Sequence, residues 1–262
     1  MSKYISEFNE FTWDMVRTLP KAYYYHVNNI PYKLEHKLGL SSVYSFVKHK
    51  KEINTFNDIN DTTTYNFLPP PFTKKEWSPP PLKEWYKDKI KSEKPTVVIQ
   101  NKYSLEWGEG VFNYFSLEFL KELFNYLTPN YTIIYIRPES NLKDYYHDEN
   151  KILEFLDYEM IKTQYPQINT IKDFLLQYPN LDYNTLQFMI EASSQHHIGT
   201  SGGNACVASY FEGDVMIFDA PEGQGKGRGI WKTDSWLKNL SGASIFGFND
   251  YESLLNKVKE RW

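Results

Sequence analysis

The chain of 262 residues has a single cysteine, Cys206, and no run of apolar residues that is long enough to cross a bilayer. One cysteine excludes an internal disulfide and a cysteine-based zinc site, and it is typical of proteins from a reducing compartment. The N-terminus has acidic residues and scattered aromatics instead of the apolar core of a secretory signal. These shortages predict a cytoplasmic protein, at most peripheral to a membrane, with no transmembrane segment.

Basic segments and common catalytic motifs are also scarce. The formal net charge is −4, and no block of Lys and Arg is long enough to follow a nucleic-acid backbone, so we expect no nucleic-acid partner. There is no G-x-x-x-x-G-K-[ST], which argues against a P-loop NTPase, and no H-E-x-x-H zinc motif. The adjacent His196 and His197 would point to opposite faces of a strand, so we expect one to pack and one to face a site, and we predict no metal site.

Aromatic residues, in contrast, make up 17% of the chain. Asn, Lys and Ile are plentiful too, so a bias in the coding sequence explains the aromatics without any function. The functional alternative is carbohydrate binding, because aromatic rings stack on the apolar faces of sugar rings. Composition leaves both explanations open.

The second part of the chain alternates short apolar runs, typical of buried strands, with amphipathic stretches that are typical of helices. The predicted strands are residues 96–99, 131–136, 167–170, 215–219 and 244–248, with a further short strand before Ser201; the predicted helices are residues 115–127, 151–161, 171–177, 185–193, 205–211 and 251–261. This alternation predicts an α/β fold with a Rossmann-like, doubly wound parallel sheet.

The first part of the chain has a less regular pattern. Apolar spacing predicts a helix over residues 3–18 that ends before Pro20. Two strands are predicted over residues 22–27 and 43–47, from their aromatic and β-branched residues.

Two proline clusters separate these elements from the βα region. They predict a stiff connector over residues 66–94 with one helical turn, packed on its own protein through residues such as Trp77. A proline-rich ligand for a partner protein is the alternative. We therefore predict two domains: a small N-terminal α/β lobe with its connector, residues 1–94, and a Rossmann-like domain, residues 95–262.

A pair of glycines, Gly202 and Gly203, follows a predicted strand and precedes a predicted helix. In an α/β sheet this order places residues 201–204 where free backbone N–H groups and the helix dipole favour a phosphate. Two glycines also let a ligand approach the backbone closely. A tight turn without a ligand is the alternative.

Polar residues follow the other predicted strands in the same way. Because ligands of open α/β sheets bind outside the carboxyl ends of the strands, we expect these residues to line one site. Cations and amide or hydroxyl donors suit a diphosphate there, and a carboxylate suits a sugar or ribose hydroxyl. The predicted nucleotide-sugar-binding residues are Gln100, Asn101, Lys102, Arg137, Ser201, Gly202, Gly203, Asn204 and Asp219.

Three segments resemble the C-terminal, donor-binding domain of GT-B glycosyltransferases. They are residues 97–102 (VVIQNK), residues 133–138 (IIYIRP) and the EA pair at 191–192 leading to residues 197–204 (HIGTSGGN). Such enzymes transfer a sugar from a nucleotide diphosphate to an acceptor in a cleft between two lobes, usually without an essential metal. The resemblance implies that Lys102, Arg137 and residues 201–204 hold the donor diphosphate, and that residues 1–94 lie on the acceptor side.

Two departures refine this expectation. The E-x7-E motif of many retaining GT-B enzymes is missing around Glu191, since Gly199 occupies the partner position, and this favours an inverting mechanism. There is no D-x-D, the usual metal–diphosphate clamp of another transferase class, so we expect no cofactor and no essential metal.

We therefore expect an inverting glycosyltransferase that uses a UDP- or GDP-sugar and a glycan acceptor. Inversion needs a general base for the acceptor hydroxyl, and the predicted candidates are His26 and Glu106. A nucleotide-sugar epimerase or hydrolase on the same fold is an alternative. A non-catalytic carbohydrate- or nucleotide-binding protein is another.

Overall fold

A computed structural model describes residues 3–6, 11–37, 39–53, 76–105, 110–139, 151–221 and 230–262. Residues 54–75, which include the loop predicted over residues 54–64 and the whole first proline cluster, and the glycine-rich stretch at 223–229 lie outside these described residues. Glu106 lies outside them as well.

The N-terminal part is a three-stranded parallel sheet with one long helix. Its strands are β1 (Lys3–Ser6), β2 (Tyr32–Lys37) and β3 (Lys50–Ile53), in that order across the sheet. The helix that connects β1 to β2 runs from α1 (Phe11–Trp13) through a π-helical turn, Asp14–Thr18, into α2 (Leu19–Val27).

The helix predicted over residues 3–18 is confirmed only from Phe11, because residues 3–6 form β1. Pro20 does not end this helix, so the strand predicted over residues 22–27 is wrong. Proline has no N–H and leaves preceding carbonyls without their usual donors. Side chains from elsewhere replace these donors: the Trp77 indole donates to the Val16 carbonyl at 3.0 Å, and the Tyr210 hydroxyl donates to the Met15 carbonyl at 2.6 Å.

The strand predicted over residues 43–47 is also wrong, because this segment forms turns. Val43, Tyr44 and Val47 are nevertheless buried in the core, which explains the apolar pattern. The helical turn predicted in the connector is confirmed as α3 (Leu82–Tyr86).

The second part of the chain builds a six-stranded sheet in which every pairing is parallel. Its strands are β4 (Thr96–Gln100), β6 (Thr132–Ile136), β8 (Asn169–Thr170), β9 (His196–Thr200), β10 (Asp214–Phe218) and β11 (Ser244–Phe248). The order across the sheet is β11-β10-β9-β4-β6-β8. A separate antiparallel pair, β5 (Ser104–Leu105) with β7 (Lys151–Ile152), lies beside it.

Helices cover both faces of this sheet. They are α4 (Leu117–Leu127), α5 (Asp157–Gln164), α6 (Ile171–Gln177), α7 (Tyr183–Ala192), α8 (Gly203–Ala208) and α9 (Tyr251–Arg261). Counted in chain order from β4, the strands run 3-2-1-4-5-6, which is compatible with a Rossmann-like fold. The predicted doubly wound parallel α/β architecture is confirmed at this level.

The predicted helix over residues 151–161 begins only at Asp157. Lys151 and Ile152 pair with β5, and the Leu153 N–H donates to the Tyr103 carbonyl, so the chain is extended there. Among the described residues, no helix combines the length and the apolar character needed to cross a bilayer.

The two faces of the large sheet have different cores. Apolar side chains of α4, α5 and α9 pack on one face, together with residues such as Ile99 and Met216. On the other face, α6 and α7 cover the β4 side, while the N-terminal helix, α7 and α8 cover the β10 side, around Ile217. The N-terminal part and the large sheet therefore share a core; the domain boundary at residue 94 stays a prediction.

The donors that replace the proline N–H can be tested with a double-mutant cycle. We expect Trp77→Phe to lower the free energy of unfolding by about 1–3 kcal/mol, because the Val16 carbonyl loses its donor. In a Pro20→Ala background, the new N–H at residue 20 can donate to the Val16 carbonyl. Trp77→Phe should then lower the free energy of unfolding by at least about 0.5 kcal/mol less than it does in the parent. Urea denaturation of the four proteins measures this coupling. An equal cost in both backgrounds would contradict the explanation.

Candidate functional site

The strand order reverses between β4 and β9, which are the two central strands. Gln100, the last residue of β4, is the register partner of Gly199 on β9. Beyond these ends the chain continues as Asn101 and Lys102 on one side and as residues 201–204 on the other. This is the crevice in which open α/β sheets bind their ligands.

A positive φ and a lysine define the turn after β9. Gly202 has φ +125°, a conformation that side-chain-bearing residues rarely adopt. The Lys102 Nζ lies 3.2 Å from the position that a Cβ of residue 202 would occupy. Helix α8, which follows, has only six residues, and Lys102 is a cation that the structure places beside its start.

The other residues of the turn are held by the protein itself. The Ser201 N–H donates to the Phe218 carbonyl at 2.8 Å, and Ser201 is buried. A Cβ on Gly203 would lie 2.8 Å from Cδ1 of Phe11, so the N-terminal helix covers this glycine. Gly203 is therefore required by packing, whatever else it does, and the open side of the turn is at Gly202.

Residues 199–203 (GTSGG) also match G-x-S-x-G, the nucleophile-elbow pattern, which the sequence reasoning wrongly took to be absent. In such an elbow the serine is exposed on a strained turn. Here Ser201 is 2% exposed, and the positive φ belongs to Gly202. The geometry therefore does not support a serine nucleophile.

Asn101 is bound by the polypeptide itself. Its Oδ1 accepts from the N–H groups of Phe115 and Lys102, at 2.8 and 2.9 Å, and its Nδ2 donates to the Phe115 carbonyl at 3.2 Å. The predicted ligand residue Asn101 therefore fixes the end of β4 to the segment that precedes α4.

Arg137 occupies a buried ion pair. Its Nε and Nη2 donate to the two carboxylate oxygens of Asp157, at 2.6 and 2.8 Å, and both side chains are at most 2% exposed. Further donors go to the carbonyls of Pro138 and Phe155. The guanidinium of Arg137 therefore uses most of its N–H groups in bonds to other parts of the protein. It does not extend toward residues 201–204, in contrast to what the sequence analysis expected.

Two tyrosines complete this network. The Tyr135 hydroxyl donates to Asp157 Oδ2, and burial together with this carboxylate raises the pKa of Tyr135 well above its usual value. Tyr158 donates to the Arg137 carbonyl at 2.6 Å, and its ring lies against the guanidinium. Sequence reasoning missed Asp157, which lies 20 residues from Arg137 and carries no local signal.

A second buried pair lies on the face that carries α7. His197 Nδ1 is 2.7 Å from Glu191 Oε2, and both side chains are at most 2% exposed. Burial raises the pKa of Glu191, and the bond to His197 opposes this rise. His196 lies instead against Trp262, so the two histidines do point to different surroundings, as predicted.

Asn204 and Asp219 lie at the same edge of the sheet. Asn204 Oδ1 is 3.5 Å from Nε2 of Gln187, a buried residue of α7. Asp219 follows β10, and its backbone bonds to Phe248 and to the Asn249 side chain. The Asp219 side chain is 9% exposed.

The two predicted general bases are not brought to the crevice by described contacts. His26 lies on helix α2 and not at the end of a strand, it is exposed, and its ring neighbours are Tyr23 and Phe46 of the N-terminal part. Glu106 lies outside the described residues. Within the described ranges, no group of three or more His, Cys, Asp or Glu side chains could hold a metal ion.

The buried pair of Arg137 gives a stability prediction. We expect Arg137→Ala to lower the free energy of unfolding by about 3–5 kcal/mol, because it leaves the Asp157 carboxylate buried without its cation. The exposed pair Lys87–Glu84 is the matched control, and Lys87→Ala should cost less than about 1 kcal/mol. Urea denaturation measures both. If Arg137→Ala were as stable as the parent, the pair would not be structural and a ligand role would regain support.

The crevice therefore brings together Gln100, Lys102 and the turn at Gly202, while Asn101 and Arg137 support it from within. No protein-family model, curated protein or solved structure matches this chain. The argument for a function consequently depends on the geometry of the crevice.

Proposed function

We propose that this protein is a GT-B-type glycosyltransferase that transfers a sugar from a UDP- or GDP-sugar to a glycan acceptor, with inversion and without an essential metal. The observation that carries the proposal is the position of Lys102 beside Gly202 at the reversal of strand order. A cation and a glycine turn at such a crevice suit an anionic, phosphate-bearing ligand.

The diphosphate of the donor would lie across the turn at Gly202. Its charge would be met by the Lys102 ammonium and by the free N–H groups at the start of α8. Because negative charge builds on the diphosphate as the sugar departs, these contacts strengthen in the transition state and lower the barrier.

Asn101 and Arg137 have a supporting role in this proposal. Asn101 holds the backbone from which Lys102 projects, and Arg137 holds the end of β6 to the start of α5. Neither needs to contact the donor. The general base for the acceptor hydroxyl is left unassigned, since His26 and Glu106 gain no support from described contacts.

The proposal predicts that UDP or GDP raises the melting temperature of the protein in the presence of EDTA, because a ligand that binds the native state stabilises it by mass action. Lys102→Ala should weaken this binding by about tenfold or more, as expected when a charge-assisted contact of about 1.5–3 kcal/mol is lost. Lys162→Ala, on the exposed surface of α5, is the matched control and should bind like the parent.

Thermal shift and isothermal titration calorimetry measure both effects. Stabilisation that appears only with Mg²⁺ or Mn²⁺ would exclude the metal-independent site, and equal binding by Lys102→Ala and Lys162→Ala would exclude Lys102. Turnover distinguishes the reaction classes: transfer requires an acceptor, whereas release of free sugar without an acceptor would indicate a hydrolase.

A further inference from the structure

Three buried polar side chains lie together on the face of the sheet that carries α7. Gln100 ends β4, and Gly199, its register partner, lies two residues beyond His197 on β9. Val98 is the register partner of His197, so Gln100 and His197 project from the same face as diagonal neighbours. Glu191 reaches His197 from α7.

The hydrogen-bonding capacity of this group is not used up. Neither Oε1 nor Nε2 of Gln100 has a hydrogen-bond partner within the part of the chain that the structure describes, and the same holds for His197 Nε2 and Glu191 Oε1. Gln100 and His197 are 2% and 1% exposed, and Glu191 is fully buried. A buried polar group without a partner costs about 1–3 kcal/mol, so this cluster is expensive unless something binds to it.

Gly199 leaves room beside these atoms. A Cβ on Gly199 would find its nearest atoms at 3.6 Å or more, all of them in Gln100. On the far side, the register partner of Gly199 is Ile217. Strand β9 therefore has no side chain between Gln100 of β4 and Ile217 of β10, at the position that follows His197 on the same face of the sheet.

We propose that Gln100 and the Glu191–His197 pair bind hydroxyl groups of the sugar. In the neutral tautomer whose Nδ1 donates to Glu191, His197 Nε2 is left as an acceptor, and Gln100 offers one acceptor and a donor. A hydroxyl group both donates and accepts, so a polyhydroxyl ligand satisfies all of these atoms. A phosphate does not, because it needs several donors and would lie close to a buried carboxylate.

This inference rests on the proposed function, since it makes the ligand the sugar whose diphosphate lies on the turn at Gly202. The buried side chains of Gln100 and His197 would then bind the sugar, whereas Lys102 and the turn at Gly202 would bind the diphosphate. Gln100 is a specificity residue in this arrangement, and Glu191 is a positioning residue that orients the His197 ring.

Gln100→Met tests the inference, because methionine keeps the length of the side chain and removes both polar atoms. Gly199→Ala is the second variant, since its methyl group fits the fold and fills the space beside Gln100. The matched control is Gln195→Met, the same change at an exposed position just before β9, at the opposite edge of the sheet. The probes are UDP and GDP, their glucose, galactose, N-acetylglucosamine, mannose and fucose conjugates, and the five free sugars.

We expect at least one sugar nucleotide to bind more tightly than its diphosphate. Gln100→Met and Gly199→Ala should raise the Kd of that conjugate about tenfold or more, while the Kd of the diphosphate stays within about twofold and Gln195→Met changes neither. Isothermal titration calorimetry gives these constants, and melting curves show that each variant is folded.

The outcomes separate this inference from the proposed function. If the diphosphate binds but the gain from the sugar is insensitive to both variants, the inference is overturned and the proposed function stands. If no diphosphate binds but a free sugar binds in a Gln100-dependent way, the inference stands and the proposed function fails. The inference is also overturned if Gln100→Met stabilises the protein and leaves binding of the sugar unchanged, or if the protein binds none of the probes. In either case the cluster holds water alone.

Discussion

Both faces of a parallel sheet must be shielded from water, and this constraint organises the whole molecule. Apolar side chains of α4, α5 and α9 pack on one face of the six-stranded sheet. On the other face, the N-terminal helix shares a core with α7, α8 and β10, and its Met15, Val16 and Leu19 are fully buried. Burial of each such side chain contributes about 1.5–3 kcal/mol, so the first third of the chain stabilises the large sheet although its own three strands form a separate sheet.

The two buried pairs, Arg137–Asp157 and Glu191–His197, differ in how many of their polar atoms have hydrogen-bond partners. This difference distinguishes a structural pair from one that can bind a ligand. Arg137 and Asp157 bond to each other at two points, and tyrosine and backbone groups use most of what remains. Glu191 and His197 bond to each other once and leave one polar atom each without a partner among the described residues. A buried pair is weak evidence of stability in itself, whereas unused capacity at the end of two central strands points to a ligand.

Periodicity predicted the sheet and its helices well where local pattern and burial agree. Residues 171–177, 244–248 and 251–261 were predicted with the observed bounds. The failures lie where distant side chains change the local outcome. Pro20 ends a helix in a short peptide, but here Trp77 and Tyr210, 61 and 195 residues away from the carbonyls they bind, allow the helix to continue.

The same limit applies to the candidate site. Strand ends placed Gln100 and the turn after β9 at one edge of the sheet, as the structure has them, because the direction of parallel strands fixes that edge. They did not distinguish residues that face a ligand from those that bind their own chain. Asn101 bonds to a backbone 14 residues away and Arg137 to a carboxylate 20 residues away, and neither partner forms a spacing that sequence reasoning can detect.

The N-terminal helix contacts the start of α8 through Phe11 beside Gly203, and it contacts the segment after α8 through the Met15 carbonyl, which accepts from Tyr210. The glycine turn therefore packs directly against a helix from the N-terminal part of the chain. Opening fluctuations of that helix release the turn, and anything that immobilises the turn suppresses those fluctuations by thermodynamic reciprocity. Amide protons of residues 11–27 should consequently report, through their exchange rates, on the occupancy of the crevice beside the glycine turn.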